Sequence, residues 1–291
     1  MTPTTLSDAV QDRSRRHIIP LSGGKDSTAL AVYMLERHDD LPLEFVFTDT
    51  GAELPETYSY LRRFEAIFGV EINRLTALDL PELQVRSKGG RRSPFDVLLN
   101  EVYSGFLPNP QARWCTRMLK IKPFEYFVGG DDAYSYIGIR ADENREGFRG
   151  AAARPSPEDD EGEAETGRTK PVVLSNRNNI LPVYPLKDIG FGLDDVRDLL
   201  LGSGLGLPPY YDWRSRSGCY FCFYQQVGEW QGLKERHPEL FEAAKTYEAT
   251  KSNGRRFTWS QTRSLEELEK LRERYAAPTG EPEDGCAICH L

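Results

Sequence analysis

The sequence predicts an α/β protein with a doubly wound, mostly parallel sheet and a helical, cysteine-bearing C-terminal region. Three observations predict it. Short apolar runs alternate with helical-period segments through the first 75 residues, several of those runs stop at glycine- or aspartate-bearing turns, and the cysteines fall almost entirely near the far end.

The elements follow in order. His17 to Leu21 is a buried strand entering a tight turn at Ser22-Gly23-Gly24, and Thr28 to Arg37 carries Leu30, Tyr33, Met34 and Leu35 at helical spacing. Glu44 to Thr48 is a second strand that ends at Asp49-Thr50-Gly51. Glu56 to Phe68 is a helix with Tyr60, Leu61, Phe64, Ile67 and Phe68 on one stripe, and Glu71 to Leu75 is a third strand. Strand, helix, strand, helix, strand is the pattern of crossovers over a parallel sheet. Tyr134 to Arg140 and Ile180 to Pro185 fit further strands. Phe95 to Tyr103, Leu193 to Leu201, Glu229 to Thr250 and Ser264 to Tyr275 read as helices, the last two on the surface.

Residues 1–16 are expected to be a flexible N-terminus, 17–213 the α/β domain, and 214–291 the C-terminal helical region with the cysteine pairs. Ala151 to Lys170, rich in acid and nearly free of apolar residues, reads as a solvated, disordered insertion.

Composition sets limits on function. The 291 residues are 39% hydrophobic and 28% charged, enough apolar material for a core, and the formal net charge is −8. Nucleic-acid contact would therefore need a local patch, such as Lys88, Arg91 and Arg92 with Arg113 and Arg117. No apolar run approaches the roughly 20 residues of a membrane span. The polar start shows no secretory signal, so the expected location is cytoplasmic, without membrane association.

Five cysteines fall as Cys115, Cys219-x-x-Cys222 and Cys286-x-x-Cys289. In a reducing compartment such pairs hold a metal or do redox work more often than they form disulfides.

Ser22-Gly23-Gly24-Lys25-Asp26-Ser27 lies between strand and helix. Two glycines permit a sharp turn whose N–H groups can converge on an anion, and the helix start adds its own N–H groups and dipole. Ser22 and Ser27 donate hydroxyls and Lys25 a point charge. The Walker spacing is absent.

This loop resembles that of the N-type ATP pyrophosphatases, and the chain resembles the phosphoadenylylsulfate (PAPS) reductase superfamily. Six segments carry the resemblance in order: SGGKDS at 22–27, FTDTGAELPET at 47–57, WCTRMLKIKP at 114–123, GIRADENR at 138–145, YPLKDIGFGLDDV at 184–196 and GCYFC at 218–222. The resemblance implies an adenine nucleotide alpha-hydrolase-like fold. It implies a nucleotide site of Ser22, Gly23, Gly24, Lys25, Asp26, Ser27, Asp49, Thr50, Gly51 and Gly138, with Lys25, Asp26, Arg140 and Arg145 in catalytic roles. ATP and Mg²⁺ would be the ligands. Glu53 or Glu56 follows a turn, one of them suited to Mg²⁺, with helix capping favoured for Glu56.

Within that superfamily the intact Gly-Gly-Lys-Asp core argues for ATP scission between the α and β phosphates. Sulfonucleotide reductases, the competing reading, have typically lost it. A tandem cysteine expected of adenylylsulfate-type reductases is replaced by Trp114-Cys115, which fits the sulfur-transfer branch of DNA phosphorothioation better. The resemblance further implies a [4Fe–4S] cluster on Cys115, Cys219, Cys222 and Cys289, with Cys286 the alternative fourth ligand. Zn²⁺ on the two C-x-x-C pairs is the second reading, and it would leave Cys115 as a nucleophile or sulfur carrier beside Arg113, Arg117 and Lys120. DNA, tRNA or a small molecule could be the acceptor, and a cysteine desulfurase the sulfur donor. A nucleotide-binding regulatory subunit is a further alternative.

Overall fold

A computed structural model describes residues 4–84, 92–143, 175, 177–216, 218–248, 257–260, 263–271 and 275. Helix α1 spans Leu6–Gln11, where the reading above expects a flexible run. Thr5 and Asp8 close a capping box on it, and Leu6 and Ala9 are buried.

Five strands make one all-parallel sheet: β1 Arg16–Leu21, β2 Leu43–Asp49, β3 Ile72–Thr76, β4 Ala133–Tyr136 and β5 Ile180–Val183, in the order β3-β2-β1-β4-β5. Every strand that the hydrophobic runs predict is present. β4 is shorter than expected, because Ile137 to Arg140 leaves the sheet through a tight Ile139 N–H to Ile137 carbonyl turn.

Alternation along the strands separates two apolar layers. Ile19, Leu21, Phe45, Phe47, Tyr134 and Tyr136 meet helices α2 (Lys25–Arg37) and α3 (Pro55–Phe68). Ile18, Val46 and Ala133 meet Phe124 and Val128 of α4 (Lys122–Val128) on the other face. Helix α5 (Leu193–Gly202) packs beside α2.

β1 carries Pro20 in mid-sheet, where a missing N–H is normally costly. Pairing with β4 covers only Arg16 to Ile18, so the proline lies where β1 has already parted from β4. Strand order also reverses between β1 and β4, and α/β ligands lie outside the strand ends at such a point.

The C-terminal region builds a second, aromatic core instead of surface helices. Helices α6 (Val227–Arg236) and α7 (Pro238–Tyr247), and the shorter α8 (Leu265–Glu269), close over Phe95, Trp114, Trp213, Phe221, Trp230, Phe241 and Trp259. The single expected helix over Glu229 to Thr250 is broken at His237, since Pro238 cannot continue α6 but suits the first position of α7. No described helix is long and apolar enough to cross a membrane. The acidic stretch 151–170 lies outside the described residues.

Candidate nucleotide site and cysteine loop

The loop between β1 and α2 is tied by its own side chains. The Ser22 N–H donates to Ser27 Oγ (3.1 Å), the Gly24 N–H to Ser22 Oγ (3.2 Å), and the two hydroxyls lie 3.0 Å apart. Thr28 Oγ1 donates to the Gly24 carbonyl at 2.8 Å. Gly23 has φ +72°, and a Cβ there would come within 2.6 Å of Thr57 Cγ2, so only glycine serves. Two N–H groups that the sequence assigns to an anion, those of Ser22 and Gly24, are thus held by neutral hydroxyls. A phosphate oxygen is a stronger acceptor for each of them, roughly twofold by the usual advantage of charge-assisted bonds.

Gly138 explains how β4 reaches this loop. A Cβ on it would lie 2.9 Å from the carbonyl carbon and oxygen of Asp26 and from the Ser27 nitrogen. The Asp26 carboxylate, 2% exposed, meets Lys25 Nζ at 3.2 Å and Arg140 Nη1 at 2.8 Å. Arg140 also pairs with Asp142 (2.9 Å) and Glu143 (2.9 Å). Its guanidinium is therefore a buried strut joining the end of β4 to the start of α2, where the sequence reading has it gripping phosphate. Arg145 lies outside the described residues.

Two tyrosines that the sequence reading passed over hold the loop from above. In the 3₁₀ turn Pro209–Asp212, buried Tyr210 donates its hydroxyl to the Gly23 carbonyl at 2.7 Å. Tyr211 accepts the Lys25 N–H at 3.3 Å, and its ring lies 5.0 Å from Lys25 Nζ. Their signal was available in the aromatic Pro-Pro-Tyr-Tyr-Asp-Trp run between two helices. The turn leads to Arg214, 2% exposed, whose guanidinium donates to the carbonyls of Gly218 and Cys219 at 3.2 Å each. One short segment thus ties the glycine loop to the cysteine loop.

At the end of β2, Asp49 Oδ1 accepts from the Gly51 N–H (2.8 Å) and from Tyr58 Oη (2.7 Å). Thr50 Oγ1 donates to Glu53 Oε1 (2.9 Å) and lies 3.2 Å from Cys219 Sγ. Glu53 is buried, its Oε2 has no hydrogen-bond partner, and desolvation raises its pKa against the pull of Lys120. Burial, with Glu53 beside it, likewise pushes the Cys219 thiol well above its ordinary value. Glu56 does not cap α3. It lies in the first turn after Leu54, and its Oε1 is 2.8 Å from His237 Nε2.

Cys115 and Cys219 both lie against the aromatic core, and Cys222 closes a turn on the Cys219 carbonyl (3.2 Å). None of the three is in a disulfide. Among the described residues, no group of three or more Cys, His, Asp or Glu is gathered to hold a metal. Cys219 Sγ is directed at Thr50 and Glu53, and a neighbouring carboxylate opposes the thiolate that a metal needs. The described thiols therefore do not by themselves fit a cluster or zinc site. Cys286 and Cys289 lie outside the described residues. So do Lys88 and Arg91 of the basic patch, while Arg92 and Arg117 meet Glu101 and Glu125.

The phosphoadenosine phosphosulfate reductase domain matches residues 16–231. The chain belongs to this family. As a PAPS reductase-family chain it is 24% and 26% identical to two uncharacterized proteins of Methanocaldococcus jannaschii, over 77% and 76% of its own length and 40% and 44% of theirs. It is 28% identical to an uncharacterized nin region protein of Escherichia phage lambda, over 44% of this chain and 49% of that one. The chain thus spans less than half the length of these curated relatives. Among solved structures it resembles the PAPS reductase of Candida auris in phosphate complex (13% identity, 70% of this chain, 81% of that chain, TM-score 0.43). It also resembles the U34-tRNA thiolase NcsA of Methanococcus maripaludis with its [4Fe–4S] cluster (16% identity, 96% of this chain, 82% of that chain, TM-score 0.43).

Proposed function

We propose that this PAPS reductase-family chain is an ATP pyrophosphatase that adenylates an acceptor for sulfur transfer. An acceptor oxygen attacks the α-phosphorus of ATP, the bond to the β-phosphate bridging oxygen breaks, and pyrophosphate leaves with that electron pair. A sulfur nucleophile then displaces AMP from the activated acceptor. The loop N–H groups and the α2 dipole would hold the leaving phosphates, and Lys25 would offset their charge as the bond breaks. Arg140 acts one step back, fixing Asp26 and so the start of α2.

One observation carries the reading: the Gly23–Asp26 loop, with its lysine, sits where strand order reverses, and Gly138 lets β4 approach its backbone. A sulfonucleotide reductase has no pyrophosphate for this lysine to offset. A [4Fe–4S] cluster on Cys115, Cys219 and Cys222 with Cys289 or Cys286, or Zn²⁺ on the two C-x-x-C pairs, belongs to the reading as its cofactor, in either case with donors from outside the described residues. Its support is the cysteine spacing and the family resemblance, no step above runs through it, and iron and zinc analysis of anaerobically purified protein tests it. Phosphorothioation of DNA and a desulfurase donor belong to the same proposal on the same motifs.

The experiment is pyrophosphate release from ATP and Mg²⁺, with candidate acceptors, by the wild type and by Lys25→Ala. Release that disappears in the variant is expected. Unchanged release refutes the role given to Lys25, and thiol-dependent sulfite release from a sulfonucleotide, without pyrophosphate from ATP, supports the reductase reading instead.

A further inference from the structure

The two tyrosines of the Pro209–Asp212 turn hold the glycine loop in opposite ways. Tyr210 donates to the Gly23 carbonyl at 2.7 Å, an atom with no part in binding an anion. Tyr211 accepts the Lys25 N–H at 3.3 Å, its hydroxyl lying beside that of Tyr210. That N–H is the first of α2, at the helix end whose dipole favours negative charge. The Tyr211 ring also lies 5.0 Å from Lys25 Nζ, and this ammonium, in a residue 7% exposed, is turned onto the Asp26 carboxylate at 3.2 Å. Three N–H groups of the loop and helix start, those of Ser22, Gly24 and Lys25, are thus each paired to a hydroxyl. Two of the hydroxyls belong to the loop itself. The third arrives from 186 residues away.

We propose that Tyr211 competes with the leaving phosphates for the start of α2. Its hydroxyl gives up the Lys25 N–H when they bind and takes it back as pyrophosphate departs, which weakens product binding and speeds release. This rests on the reading above, that the loop holds the leaving phosphates, and adds a residue for the release step. An N–H carries one proton, so the Tyr211 oxygen and a phosphate oxygen do not both bond it at full strength. At 3.3 Å the existing bond is longer than the usual value of about 2.9–3.0 Å, and a charge-assisted bond to phosphate is shorter and roughly twice as strong. Exchange therefore favours the anion, while breaking the first bond is subtracted from its affinity. Tyr60 donates to the Gly206 carbonyl at 2.8 Å and Arg214 to the Gly218 and Cys219 carbonyls, so the segment stays anchored on both sides when the Tyr211 contact opens. As the ring withdraws, the Lys25 ammonium turns to the incoming charge.

Inorganic pyrophosphate with Mg²⁺ is titrated by calorimetry into the full chain as wild type, Tyr211→Phe, Tyr210→Phe and Lys25→Ala. Tyr211→Phe keeps the ring and removes the competing oxygen, so it should bind pyrophosphate about threefold tighter, the size of one modest hydrogen bond. A residue that merely supported the loop would weaken binding on removal, as expected of Tyr210→Phe. Amide exchange of the wild type, followed by mass spectrometry, needs no variant and decides the matter if Tyr211→Phe fails to fold. Pyrophosphate should slow exchange across 22–27 and hasten it across 209–213. Equal or weaker binding by Tyr211→Phe, or slower exchange in both segments, overturns the proposal. Lys25→Ala separates the two readings: weaker binding there, with no tightening in Tyr211→Phe, overturns this proposal alone, and no pyrophosphate binding by the wild type overturns it together with the proposed function.

Discussion

Replacing Gly138 by alanine tests the joint on which the proposed nucleotide site depends. The added methyl would meet the Asp26 carbonyl group and the Ser27 nitrogen at 2.9 Å, about 0.5 Å closer than ordinary contact, and all of these atoms are backbone. No side chain can rotate away, so either the end of β4 or the first turn of α2 must move. Overpacking of this kind costs about 1–3 kcal/mol, and a clash against rigid backbone belongs at the upper end. For a domain of this size that lowers the melting temperature by about 6–12 °C. The shift also moves Asp26 relative to Arg140, now 2.8 Å away, and misplacements near 1 Å reduce catalysis by roughly a hundredfold. Urea unfolding and binding of a fluorescent ATP analogue, run together, measure both effects. Gly130→Ala is the control, since its Cβ meets nothing within 4 Å and it should stay within about 0.5 kcal/mol of wild type. If Gly138→Ala matches Gly130→Ala in both assays, the close approach of β4 to the loop is not what holds the site.

Removing the Tyr210 hydroxyl with phenylalanine strands the Gly23 carbonyl, and should cost about 1–2 kcal/mol in urea unfolding while weakening ATP binding; an unchanged nucleotide affinity would detach Tyr210 from the loop. Glu248, 2% exposed, accepts the Trp259 N–H at 2.8 Å and the Leu265 N–H at 2.7 Å, so Glu248→Ala should destabilise the aromatic core by roughly 3 kcal/mol and alter near-UV dichroism. His17 is fully buried, with Nε2–H donating to the Asp12 carbonyl at 3.0 Å and Nδ1 accepting from Tyr136 at 2.7 Å; burial lowers its pKa from the ordinary 6.5. The unfolded chain then binds a proton below pH 6.5 that the folded chain refuses, so the stability due to neutral His17 is complete above that pH and is lost as the pH falls below it. Urea midpoints at successive pH values should drop more steeply in wild type than in His17→Gln, and parallel curves would refute the assignment.

The elements that could be read directly are those whose signal is local. Alternation in β1 and β2, the helical stripe of α3, and the glycines and lysine of the 22–27 loop are each carried by residues within a few positions of one another. The same holds for the C-x-x-C spacing. Distant partners are what the sequence does not show. The sequence offers Arg140 as a phosphate ligand and gives no sign that Asp26, Asp142 and Glu143 surround it. Glu56 looks like a cap until His237 arrives from 181 residues away.

By itself the sequence determined the parallel α/β fold class and the family, because hydrophobic period and glycine turns act over short range. Only the tertiary structure decided that strand reversal sets Gly138 against the 22–27 loop, that Tyr210 and Arg214 join it to Cys219, and that Tyr211 accepts the Lys25 N–H. Those pairings depend on which segments a folded sheet brings side by side, and separation along the chain carries no signal of that.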